Sequence, residues 1–154
     1  MTDGRAFPYR SFEISEFLKQ QKRCPVEKPE AKAHGPGLRL TVRLYLADGE
    51  NFVPMELHLK AGRIEIPSSY QAAFLIANER VRGINYSEIE KKKYYKTLIP
   101  KGWHQNVIDP GLPSDDQNQN KHEALDWSVS DFDAFIRQVC KLWCIDLGRE
   151  EVLL

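Results

Sequence analysis

At 154 residues, with 42% hydrophobic and 29% charged side chains, the chain holds enough apolar material for one compact core and too much for a disordered polymer. Its 22 lysines and arginines balance 22 aspartates and glutamates, which removes the overall field that a non-specific nucleic-acid binder relies on. The N-terminal residues lack an apolar run of signal-peptide length, and no stretch reaches membrane-spanning length, so a cytoplasmic protein without a membrane role is expected.

The first element is a short amphipathic helix over residues 11–23. Phe12, Ile14, Phe17 and Leu18 form its apolar side, Lys19 to Arg23 a polar tail, Ser11 or Ser15 its cap, and Cys24-Pro25 its stop. Residues 25–37, with Pro25, Pro29, Gly35, Pro36 and Gly37 among charges, read as a mobile connector. The expected division is therefore 1–37, helix and connector, followed by a single α+β domain over 38–154.

Leu38, Leu40, Val42, Leu44 and Leu46 alternate with Arg39, Thr41, Arg43 and Tyr45, the pattern of a strand with one buried face. Asp48-Gly49 marks a turn, and Val53, Met55, Leu57 and Leu59 alternate again, with Pro54 near a strand start or edge. A third short strand is expected at Ile64 and Ile66, completing an antiparallel meander. Residues 72–86 read as a hairpin, Ala72–Ile76 and Val81–Tyr86 around Ala77-Asn78-Glu79, with a helix over 69–80 as the alternative. Residues 109–122 are polar and rich in Pro, Gly, Asn and Gln, which predicts a long loop. Phe132, Phe135, Ile136, Val139, Leu142 and Trp143 then recur at helical spacing, with Ser128 as cap, Trp127 stapled onto Phe132, and Gly148 as the stop. The expected fold is α+β: a curved antiparallel sheet of about five or six strands, a C-terminal helix across its apolar face, and a short N-terminal helix.

The three cysteines, Cys24, Cys140 and Cys144, do not form a secreted disulfide framework and read as core thiols in a reducing compartment. Cys140 and Cys144 share a helical face, as a zinc pair would, but no further two ligands are placed by the sequence. His104, Asp109, Asp115 and His122 are metal-ligand types without a recognised ligand frame. No metal and no cofactor is implied. There is no glycine-rich phosphate loop, Gly-x-Ser-x-Gly elbow or Cys-x-x-Cys pair.

Three constellations remain. His104 and His122, with Arg82 and Lys101 as phosphate contacts, are the residue types of a metal-independent ribonuclease. One imidazole takes the 2′-hydroxyl proton, the other protonates the leaving oxygen, and a cation stabilises the phosphorane. Lys91, Lys92, Lys93, Tyr94, Tyr95 and Lys96 place cations beside aromatics, which suits phosphate contact and base stacking, although Glu88 and Glu90 offset the charge. Arg39, Arg43, Tyr45, Glu56, His58 and Glu65 make a polar strand face that is either ordinary solvent surface or a docking site for a partner protein.

In its second half, Arg82-Gly83-Ile84-Asn85, Gly102-Trp103-His104, His122 and the aromatic segment from Phe132 through Ile145 follow one another in an order that resembles small uncharacterised bacterial proteins found near toxin–antitoxin or phage-defence genes. In that group an acid is usual where Asn85 stands. The resemblance implies a bacterial or phage-defence setting. Taken with the missing catalytic signatures, it makes a non-enzymatic binding protein acting through a protein partner the first expectation. A ribonuclease-like toxin and an RNA-binding module follow it.

Overall fold

The computed structural model describes residues 7–24, 32–46, 53–92, 98–113, 116 and 119–147. In chain order these form helix α1 (Ser11–Lys19), strands β1 (Lys22–Arg23), β2 (Lys32–His34), β3 (Gly37–Leu46), β4 (Met55–Ala61), β5 (Tyr70–Ile76), β6 (Glu79–Ser87), β7 (Lys91–Lys92), β8 (Leu98–Ile99), β9 (Gly102–Ile108) and β10 (Asn120–Ala124), helix α2 (Phe132–Leu142) and strand β11 (Ile145–Asp146).

Nine of the described strands form one sheet in the order β10-β9-β6-β5-β4-β3-β1-β11, with β2 also on β3, while β7 and β8 make a separate two-stranded antiparallel sheet. The α+β class and the C-terminal helix are as the periodicity predicts. The sheet is larger than the five or six strands expected, and it is mixed, because β1 and β11 run parallel. Two- and three-residue strands such as β1, β2 and β11 are too short to carry a period, so alternation has nothing to reveal in them.

Long strands obey the alternation closely. Leu40, Val42, Leu44 and Leu46 of β3 and Met55, Leu57, Leu59 and Ala61 of β4 are all buried on one face. The meander continues into β5, which pairs with β4 from Met55–Ile76 to Ala61–Tyr70. Its third strand is thus Tyr70–Ile76, and not the segment around Ile64 and Ile66. Those two residues lie in the turn before a 3₁₀ turn at Pro67–Ser69, 40% and 42% exposed. Two isoleucines make too short a period to hold a strand. The hairpin reading of the next segment is correct: β5 and β6 pair antiparallel around Ala77 and Asn78, both with positive φ (51° and 65°), the geometry of a two-residue turn.

Both helices pack on the same face. Trp143, just past α2, meets the Phe74 ring edge-on at 5.6 Å, and Phe132 and Phe135 lie against Tyr70. Ile14 and Leu18 of α1 join the same core as Phe74, Phe135 and Val139. Helix α1 ends at Lys19 rather than near residue 23, and it is entered from Arg10, whose N–H donates to Glu13 Oε1, so neither serine is the cap. Lys22 explains the early end. It belongs to β1, is fully buried, and its Nζ donates to the carbonyls of Phe17, Leu18 and Gln20. Those are carbonyls at the helix's C-terminal end, which the helix itself cannot satisfy.

Other local expectations shift by a few residues for physical reasons. Residues 32–34 of the supposed connector form β2, closing onto β3 through Gly35 at φ 58°. Asp131, not Ser128, caps α2, accepting from Ala134 N–H at 2.7 Å. Trp127 packs on Trp103 and Phe135 instead of stapling Phe132. Residues 120–122 of the expected loop begin β10, paired with β9. Residues 25–31, Asp48-Gly49 and Gly148 lie outside the described residues. Among the described residues no helix is long and apolar enough to cross a membrane.

Candidate functional site

With both helices on one face, the other face of the sheet carries the polar half of every alternation. Strand register sets its layout. Thr41, His58, Ala73, Gly83, Asn106 and His122 stand side by side in six successive strands. On one side of this row run Arg39, Lys60 and Gln71 and, further along, Asn85 and His104. On its other side stand Arg43, Glu56, Leu75 and Arg80.

Because Ala73 and Gly83 at the middle of the row have almost no side chain, the face is hollow there, forming a cleft of about 440 Å³. Arg39, His58, Lys60, Arg80, Asn85 and Asn106 are on its rim and walls, and among the described residues no carboxylate lines it. Glu56 reaches toward it only through His58, at 3.5 Å from Nε2. A Cβ added to Gly83 would stand 3.4 Å from Asn106 Nδ2 and 3.8 Å from Arg80 Cδ, so it would fit and would fill the floor. Asn85 Oδ1 is buried in the wall without a hydrogen-bond partner among the described residues. A second hollow of about 430 Å³ lies at the other end of β3, lined by Arg43, Tyr45, Val53, Pro54, Glu56 and Asn78 among others.

The two histidines do meet. Their ring centroids are 5.6 Å apart at 63°, an edge-to-face contact, and His104 is only 2% exposed. His104 Nδ1 donates to Gly102 O at 3.2 Å, since a carbonyl can only accept. His122 Nδ1 lies 2.6 Å from Asn106 Oδ1. With its oxygen engaged by His122, Asn106 turns its amide nitrogen toward the space above Gly83. The histidine pair therefore orients a wall of the cleft.

Of the other predicted catalytic residues, Arg82 does not join them. Arg82 pairs with Phe74 and Val107, so it belongs to the helix-covered face and the sheet separates it from His104. It is 8% exposed, and Nη1 donates to Val81 O. Burial holds its pKa below the ordinary guanidinium value, opposed by the charges of Glu123 and Asp109. Lys101 is exposed in the turn leading into β9. The contact sets the edge of one ring against the face of the other, and His104, 2% exposed, offers a phosphate little surface.

In the lysine–tyrosine segment, Lys91 and Lys92 form β7 opposite Leu98 and Ile99. Lys93, Tyr94, Tyr95 and Lys96 lie outside the described residues. Cys140 stays within α2, where burial foremost, with Asp146 nearby, pushes its thiol up to about 12; Cys144 lies beyond the helix at φ 56°. Asp115, one of the four ligand types considered for a metal, is outside the described residues.

Sequence reading identifies Arg39, Arg43, Tyr45, Glu56 and His58 as one polar face, and register places them so. Glu65 is instead in the turn after β4, beside Arg63 at 3.7 Å. The half of the cleft formed by Gly83, Asn85 and Asn106 escapes sequence reading, because β9 carries polar residues on both faces. Gln105 points inward to accept from Trp143 Nε1 at 2.8 Å, while His104 and Asn106 point outward. A strand with glutamine inside and histidine outside does not alternate in polarity. Compared with family models, with curated proteins and with solved structures, the chain matches none.

Proposed function

We propose that this chain is a small non-enzymatic binding protein that acts through a protein partner docked on the face of its sheet opposite the two helices. The observation that carries this reading is the one-sided packing of the helices, which leaves Arg39, Arg43 and Tyr45 in line along β3. Arginine and tyrosine are the residue types that most often anchor protein interfaces, because each combines apolar area with polar reach. Tyr45 is 37% exposed and borders the hollow with Pro54 and Val53, which offers an anchor side chain a partly apolar seat. A bacterial or phage-defence setting rests on the resemblance of the second half alone.

The test is site-specific photo-crosslinking in the native cell, with the crosslinking residue at position 45 or, as the contrast, at exposed Phe12 on helix α1. Adducts to one discrete protein from position 45, absent from position 12 and abolished by Arg43→Glu, are expected. Adducts of equal yield from both positions, or none from position 45, would overturn the reading.

The geometry of the histidines favours this reading over a ribonuclease. Labelled RNA incubated with purified protein is expected to remain intact on a denaturing gel. Shortened RNA whose production is lost in folded His104→Ala would install the toxin reading instead.

A further inference from the structure

We infer that the cleft over Ala73 and Gly83 binds a mononucleotide, with its phosphate toward Arg39, His58 and Lys60 and its base flat over Gly83. This site adjoins the hollow beside Tyr45, sharing Asn78 with it and Arg39 with the polar line along β3, but does not depend on a protein partner.

Charge comes first. The whole chain is neutral, yet Arg39, Lys60 and Arg80 gather around this cleft with no carboxylate among its described lining residues. Such a local excess of cations favours an anion, and phosphate accepts from arginine and lysine through several oxygens at once.

Shape comes next. A volume of about 440 Å³ is in the ordinary range of small-molecule sites. From β4, which carries His58 and Lys60, to β6, which carries Gly83, is two strand spacings, roughly 10 Å. That separation matches a ligand with an anionic group at one end and a flat body at the other. Gly83 and Ala73 lie buried at the bottom of the cleft and bring almost no side-chain bulk, so a planar ring can lie over them between the flanking side chains. Arg80, whose Cδ would stand 3.8 Å from a Cβ on Gly83, carries a guanidinium of the kind that stacks on such a ring.

Polar matching completes the argument. His122 engages Asn106 Oδ1, which aims Nδ2, a donor, at the cleft. Across the same floor, Asn85 Oδ1 is an acceptor lacking a partner among the described residues. A donor and an acceptor beside one flat floor complement the edge of a base, which presents acceptor and donor side by side. An inorganic anion would use the cations and leave both amides unanswered.

Isothermal titration of the intact chain with AMP, GMP, CMP and UMP, with the four nucleosides, and with inorganic phosphate tests this. At least one nucleotide is expected to bind about 10-fold or more tighter than both its nucleoside and phosphate, since each end contributes. Gly83→Ala, which fills the floor, and Lys60→Ala, at an exposed position, are each expected to weaken that binding about 10-fold or more with thermal melting unchanged. Should Gly83→Ala fail to fold, Lys60→Ala carries the test by itself. Binding of phosphate as tight as that of every nucleotide, binding of none, or variants that bind as the parent does would each overturn the inference. So would a short RNA that binds tighter than every mononucleotide, because the site would then read a strand. Crosslinking from position 45 is a separate readout, so failure of one proposal is distinguishable from failure of the other.

Discussion

Lys22 Nζ lies 5.6 Å from the centre of the Phe74 ring while it donates to three carbonyls of the α1 terminus, at 2.6, 3.0 and 2.7 Å. One buried ammonium thus closes a helix, holds the short strand β1 and covers the central aromatic of β5.

Lys22→Met keeps the length of the side chain and removes its donors. The carbonyls of Phe17, Leu18 and Gln20 lose their shared donor in a buried setting, and an unsatisfied buried acceptor costs about 1–3 kcal/mol. The variant is expected to unfold at lower urea, with an unchanged denaturant slope. A midpoint equal to the parent's would show that water replaces the ammonium there.

The same residue sets a pH dependence. Burial pushes Lys22 down from 10.5 to about 8, with Cys144 opposing. Between those values the unfolded chain holds a proton that the folded chain has released, so this group makes stability rise as pH increases across that window. Cys140 acts in the opposite sense: its folded value is raised from 9.0 to about 12, so stability falls as pH climbs between those two. Subtracting the Lys22→Met curve from the parent's cancels the thiol and is expected to leave a difference that grows in the parent's favour from pH 8 upward. A flat difference would place Lys22 at its ordinary value.

Asp131→Ala removes the side chain that accepts from Ala134 N–H at the start of α2. Helix caps of this kind are worth about 1 kcal/mol, and the loss should appear in chemical denaturation as a lower midpoint. Ser128→Ala, by contrast, is expected to leave stability unchanged, since Ser128 offers α2 only its backbone carbonyl, to Gln138.

Ala77 occupies the first position of the β5–β6 turn at φ 51°, where a Cβ is unfavourable. Ala77→Gly is expected to stabilise the chain by roughly 0.5–1 kcal/mol, relief of strain outweighing the added freedom of the unfolded chain. A lower midpoint would mean that the flexibility dominates.

Residues that alternate over five or more positions were legible without any structure. Leu40 to Leu46 and Met55 to Leu59 fix both the strands and the face that is buried, because a period of two admits one answer. The α2 stripe from Phe132 to Val139 is equally plain, and so the polar set of Arg39, Arg43, Tyr45 and His58 was visible as one surface. Lys22 was not: in sequence it belongs to a polar tail, and only tertiary packing supplies the three carbonyls that allow an ammonium to be buried. The cleft was out of reach for the same kind of reason. Gly83, Asn106 and His122 are far apart along the chain and become neighbours through strand register, a long-range pairing that local pattern does not encode. Local periodicity determined which side chains could be inside, whereas tertiary pairing decided which polar ones stand together outside.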